Sequence, residues 1–156
     1  MKHFLSFLIF TLAFVSCQQN IDVFEKNVEI PDHAWSSGFK PEISFTVQDT
    51  TARYNIYAVV RHTDAYEFNN IWINIYTKVP GDSAMRKQQL DLKLATDEKG
   101  WLGSGMDDIF EHRILITAQP EALTKAGTYT FSFENIMRVD PLPGVLNMGI
   151  RVEKAK

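Results

Sequence analysis

An all-β, antiparallel sandwich is the fold class this chain predicts, and three observations predict it. Apolar side chains recur at every second residue in at least five stretches, turn residues separate those stretches at short intervals, and no long amphipathic helical pattern occurs anywhere. About eight short strands result. Jelly-roll and immunoglobulin-like topologies both satisfy this pattern.

In chain order, Met1 to Ser16 reads as a signal peptide. Lys2 and His3 form a basic start, Phe4 to Val15 carries no formal charge, and small Ser16 precedes the only cysteine, Cys17. The apolar run is shorter than the roughly 20 residues of a spanning helix, and polar Gln18, Gln19 and Asn20 follow it. This is a lipobox, so residues 1–16 are expected to be removed and Cys17 to become the lipidated first residue of the mature chain. Gln18, in place of the Asp that retains many lipoproteins at the inner membrane, points to the outer membrane. Residues 17–25 are expected to form a tether and residues 26–156 the sandwich domain.

Pro31, Asp32 and Ser36 to Gly38 supply turn chemistry around Trp35, and Ile43, Phe45 and Val47 alternate with polar neighbours as a half-buried strand. Tyr54 to Arg61 is apolar on both faces, which suits a central strand. His62 to Asn70 reads as a polar loop, and Ile71, Ile73 and Ile75 restart the alternation until Pro80-Gly81-Asp82. Leu90, Leu92 and Leu94 place Met85 to Leu94 in a further strand. Asp97 to Gly105 is a glycine-rich loop around Trp101, Asp107 to His112 and Pro120 to Ala126 are each expected to make a helical turn, and Arg113 to Ala118 is extended. Tyr129, Phe131 and Phe133 define the clearest strand. After the turn at Pro141, Pro143 and Gly144, Leu146, Met148, Ile150 and Val152 close the domain.

Loss of residues 1–16 leaves 15 basic against 19 acidic side chains, a balance that disfavours nucleic acid as a partner. About 140 remaining residues suffice for one domain. With Cys17 committed to lipid, no disulfide or cysteine metal site is available. His33, His62 and His112 lack the paired spacing of a transition-metal site, Asp107, Asp108 and Glu111 lack that of a calcium loop, and Ser104 lacks the first glycine of a nucleophile elbow. No cofactor, metal or catalytic residue is therefore expected, and the chain is read as a non-enzyme. Aromatics in predicted loops, Trp35, Tyr66, Phe68 and Trp101, are candidates for contact with a partner protein or a sugar ring, and Arg61, Arg113, Arg138 and Arg151 for a binding face.

Three stretches carry a resemblance. Tyr54-Asn55-Ile56-Tyr57 with Arg61-His62-Thr63-Asp64, Gly100-Trp101-Leu102-Gly103-Ser104-Gly105 with Asp108-Ile109 and Arg113, and Met137-Arg138-Val139-Asp140-Pro141-Leu142-Pro143-Gly144-Val145 are similar to the gliding motility lipoprotein GldH family. The resemblance implies a lipid-anchored cell-envelope component of gliding motility, tied to type IX protein secretion, whose partners are other envelope proteins of that machinery. It implies no reaction and no catalytic residue. Trp101 and Leu142, beside Trp35 and Tyr66, are the expected contact residues. A glycan-binding sandwich that stacks sugars on Trp35, Trp101 or Tyr66 is the alternative.

Overall fold

A computed structural model of the protein describes residues 22–156. Cys17, the expected signal peptide and most of the expected tether lie outside the described residues. Eight strands of six residues or more build the domain: β1 (Val23–Glu29), β2 (Glu42–Val47), β3 (Arg53–Thr63), β4 (Asn70–Lys78), β5 (Met85–Lys93), β6 (Ile109–Leu115), β7 (Gly127–Asn135) and β8 (Val145–Lys154). Strand β1 begins at Val23, so Val23 to Glu25 belong to the sheet and not to the tether. Its apolar Phe24 packs against Phe45 of β2, ring centroids 5.4 Å apart, and this contact draws the segment onto the core.

The sheets run β1–β8–β3–β6 and β2–β7–β4–β5, antiparallel throughout. Strands 1 and 8, 2 and 7, 3 and 6, and 4 and 5 are partners, as in one long hairpin rolled into two layers. This is a jelly roll, and the immunoglobulin alternative is excluded by the pairing. Inward side chains alternate as predicted. Ile43, Phe45, Ile71, Ile73, Ile75, Phe131 and Phe133 of one sheet pack on Ile56, Ala58, Val60, Met148, Ile150 and Val152 of the other. Strand β3 is central, as its two apolar faces required.

Its outward Val59 is nonetheless buried. Arg113 on β6 reaches across the sheet to Glu25 on β1, donating two hydrogen bonds of 3.1 Å, and Arg151 adds one of 2.8 Å to the same carboxylate. Glu111 pairs with Arg61 and Arg113, and Glu153 with Arg151. Val59 stands in register with Arg113 of β6 and Gly149 of β8, on the face that carries these ion pairs. Three of the four candidate arginines are thus spent on an ion-pair ladder.

Neither expected helical turn forms. Asp107-Asp108 is the turn of a hairpin between Ser104–Met106 and β6, with Asp107 at φ 52°, and Glu121–Ala122 pairs with Arg53 and Tyr54 at the edge of β3. In both segments a backbone ladder outweighs a local acidic or alanine-rich helical preference. The only helical turn among the described residues is the short Pro31–His33.

Rolling the hairpin segregates the connections. Residues 30–41, 64–69, 94–108 and 136–144 meet at one pole; residues 48–52, 79–84 and 116–126 lie at the other, where the chain enters at Asp22. The eleven residues of β3 separate the poles by roughly 35 Å at about 3.3 Å per residue.

Candidate functional site

The long-loop pole collects the sequence motifs that are far apart in the chain. Thr63 N donates to Gly144 O (2.9 Å), Asp64 N to Asp108 O (2.8 Å), Gly144 N to His33 O (2.9 Å) and Leu94 N to Asn69 O (2.8 Å). All four loops are stitched together by backbone bonds, so the pole is one cooperative unit.

Beneath it lies an aromatic box. His62 and His112 sit on adjacent positions of β3 and β6, facing inward. The His62 Nδ1–H donates to Thr63 O at 2.7 Å, which leaves its Nε2 lone pair to accept from His112 Nε2–H at 2.9 Å. Trp101, Tyr66 and Phe110 surround the pair, with centroids 4.4, 5.1 and 5.7 Å from the His62 ring. Desolvation lowers the pKa of both histidines, and the neighbouring His62 lowers His112 further, to about 4. Both rings are neutral at pH 7.

The sign of the pH dependence follows. A histidine whose folded pKa is depressed binds fewer protons folded than unfolded, so stability is full above the ordinary value of about 6.5 and falls as the solution is acidified. The loss develops between about 6.5 and the His112 value of about 4. Urea midpoints of the full chain are expected to drop through that window, and His112→Asn is expected to flatten the drop; an equal drop in both proteins would contradict the assignment.

Most of the residues expected to touch a partner are structural. Trp35 is fully buried, its Nε1–H donating to Phe39 O at 2.9 Å, and Leu142, its partner in a two-residue bridge, is equally buried. Tyr66 is buried with its hydroxyl donating to Asn70 O at 3.0 Å, and burial raises its pKa. Phe68 is half-buried against Tyr66. The reason is common to all: the long loops fold back over the open end of the sandwich, and their aromatics are what cap it. Of Trp35, Tyr66, Leu142 and Trp101, only Trp101 keeps a partly open surface, its ring packed on His62 and Phe110. The glycan alternative loses two of its three stacking residues to this cap. Ser104 lies on the exposed Ser104–Met106 strand, in no nucleophile elbow.

What the pole does expose is a different apolar set. Met106 is 79% exposed, Leu102 45% and Ile109 44%, all on the glycine loop and the hairpin that follows it. Met106 and Ile109 are register partners and project from the outer face of the sheet, where a shallow groove runs between Arg61, Asp108, Leu146 and Asn147. The strand Ser104–Met106 is also a sheet edge. Sequence reasoning missed this group because a three-residue strand shows no period, and the alternation that would have flagged Met106 and Ile109 is interrupted by the Asp107-Asp108 turn. Among the described residues, no three His, Cys, Asp or Glu side chains converge as metal ligands.

The GldH lipoprotein family model matches residues 22–152. A gliding motility lipoprotein GldH homolog of Christiangramia forsetii is 22% identical over 154 residues, covering 94% of this chain and 93% of the relative. The gliding motility lipoprotein GldH of Flavobacterium johnsoniae is 23% identical over 128 residues, 78% of each chain. Among solved structures, a carbohydrate-binding module specific for non-crystalline cellulose superposes with a TM-score of 0.46 at 10% identity, over 85% of this chain and 73% of the module. The infectious bursal disease virus VP2 subviral particle gives 0.35 at 12% identity, over 87% of this chain and 34% of that one.

Proposed function

This chain belongs to the GldH lipoprotein family, and from that premise we propose that it is a non-catalytic, lipid-anchored envelope component of gliding motility that binds a partner protein through its long-loop pole. Its relatives carry the name of gliding motility lipoproteins. Lipidation at Cys17 fixes the mature chain to a membrane, the outer membrane in this reading, and the partner is another envelope protein of the motility and type IX secretion machinery. Two or three acyl chains, at about 0.8 kcal/mol per buried methylene, make such anchoring stable.

The observation that carries the reading is the exposed Leu102, Met106 and Ile109 set at the pole opposite Asp22. Roughly 35 Å of sandwich would hold that set away from the bilayer. The stitched loops beneath it hold the hairpin in place before binding, which reduces the ordering entropy that opposes association. Glu111 and Arg61 form a polar rim beside an apolar centre, the usual anatomy of a protein interface.

A chain carrying Met106→Asp with Ile109→Asp tests it. Both side chains are exposed, so the variant is expected to fold with an unchanged melting temperature and to fail to restore gliding in a deletion strain. Full restoration by the folded variant would refute the reading.

A further inference from the structure

Strand β8 carries a bulge where it enters the sheet: Val145 pairs with His62 and Asn147 with Arg61, so Leu146 is one residue too many for β3. Val145 and Met148 are buried in the core, and the extra residue turns Leu146 and Asn147 together onto the outer face. There they line a groove of about 560 Å³. Two rows of side chains border it. In one, Glu29, Asn147, Arg61, Glu111 and Ser104 stand in register across five strands. In the other, Thr63, Ile109 and Met106 are register partners, and Leu146 lies beside them. Four strand spacings make the first row about 19 Å long, which is the length of about six residues of extended chain.

The charge of the groove is one-sided. Apart from His33, its lining carries one basic side chain, Arg61, against Glu29, Asp107, Asp108 and Glu111. Arg61 is taken by Glu111, which also pairs with Arg113. Glu29, Asp107 and Asp108 are exposed and have no ion-pair partner among the described residues. Asp64 adds a further exposed carboxylate, its backbone N–H bonded to Asp108 O at 2.8 Å. A partner that covers Met106, Ile109 and Leu146 must therefore approach through these acids. An acidic or neutral segment would take their water away and return nothing, whereas lysine or arginine spaced between apolar residues supplies the missing counter-charge at the rim.

We propose that the groove takes an extended segment of the partner, about six residues long, in which lysine or arginine alternates with apolar side chains. This rests on the partner surface proposed above and adds the chemistry of what binds there.

The test uses the full chain with Cys17→Ala and three fluorescein-labelled hexapeptides read by anisotropy: alternating Lys and Leu, alternating Glu and Leu, and alternating Lys and Ser. Saturable binding of the Lys/Leu peptide is expected, about tenfold or more tighter than that of either other peptide. The triple variant Glu29→Gln, Asp107→Asn, Asp108→Asn keeps the side-chain shapes, and asparagine tolerates the φ of 52° at position 107. It is expected to weaken the Lys/Leu peptide about tenfold or more, and Met106→Ser with Ile109→Ser to do the same. Asp82→Asn with Glu121→Gln, at the other pole, is expected to leave binding unchanged. No saturable binding, equal binding of the Glu/Leu or Lys/Ser peptide, unaltered affinity in either folded groove variant, or the same loss in the other-pole variant would overturn the inference. Complementation separates it from the reading beneath it. If the triple variant restores gliding and Met106→Asp with Ile109→Asp does not, the surface stands and its basic partner falls; if Met106→Asp with Ile109→Asp restores gliding, both fall.

Discussion

Trp35→Ala is expected to destabilise the domain by about 3–5 kcal/mol, read as a fall in the urea midpoint with little change in slope. Trp35 is the largest fully buried side chain, and three contacts tie it to its surroundings. Its indole donates to Phe39 O and closes the 36–39 turn, its carbonyl accepts from Asn135 Nδ2 at 2.9 Å, and its backbone pairs with Leu142. Next to it, Asp140 accepts a 2.8 Å bond from Ser37 N. Removal of the ring leaves a cavity and a Phe39 carbonyl without its donor, and both terms act in the same direction. Trp35→Phe keeps most of the volume and loses chiefly the indole bond, so a cost of about 1 kcal/mol is expected. A wild-type midpoint for Trp35→Ala would mean that Trp35 is not the centre of the cap.

Gly103→Ala is expected to destabilise the domain by about 1–3 kcal/mol, on the scale of overpacking. A Cβ built at Gly103 stands 2.5 Å from Glu111 O and 2.9 Å from the His112 ring. Most of that obstruction is backbone of β6, which cannot move without disturbing its ladder with β3. The loop would have to lift, and with it Trp101 would leave the face of His62. Tryptophan emission is therefore expected to shift to longer wavelength in the folded Gly103→Ala protein. An unshifted spectrum at wild-type stability would show that the loop accommodates the methyl group.

Much of the fold was legible because its strands obey a period of two with one buried face. Ile43 to Val47, Ile71 to Ile75 and Tyr129 to Phe133 were each placed by that rule, and Tyr54 to Arg61 by its two apolar faces. The jelly-roll pairing was not legible, since which strand lies beside which is decided by contacts such as Phe24 on Phe45 and not by any local pattern. Aromatics in loops misled for a physical reason. The connections at this pole fold back over the open end of the sandwich and bury their own side chains, so Trp35, Tyr66 and Leu142 are buried in the cap. The paired His62 and His112, fifty residues apart in sequence, meet only because β3 and β6 are neighbours, so spacing gave no sign of them. The glycines of the Trp101 loop were visible; their purpose, close approach to β6, was not.

The most direct measurement of the central claim is crosslinking of intact envelopes with this chain as bait, followed by mass spectrometry, in three forms: wild type, Cys17→Ala, and Met106→Asp with Ile109→Asp. The account predicts enrichment of motility or type IX secretion components by the wild type, loss with Cys17→Ala, and loss with the folded double variant. The same partners recovered with the hairpin variant as with the wild type, or recovery of glycan-uptake proteins in their place, would contradict it.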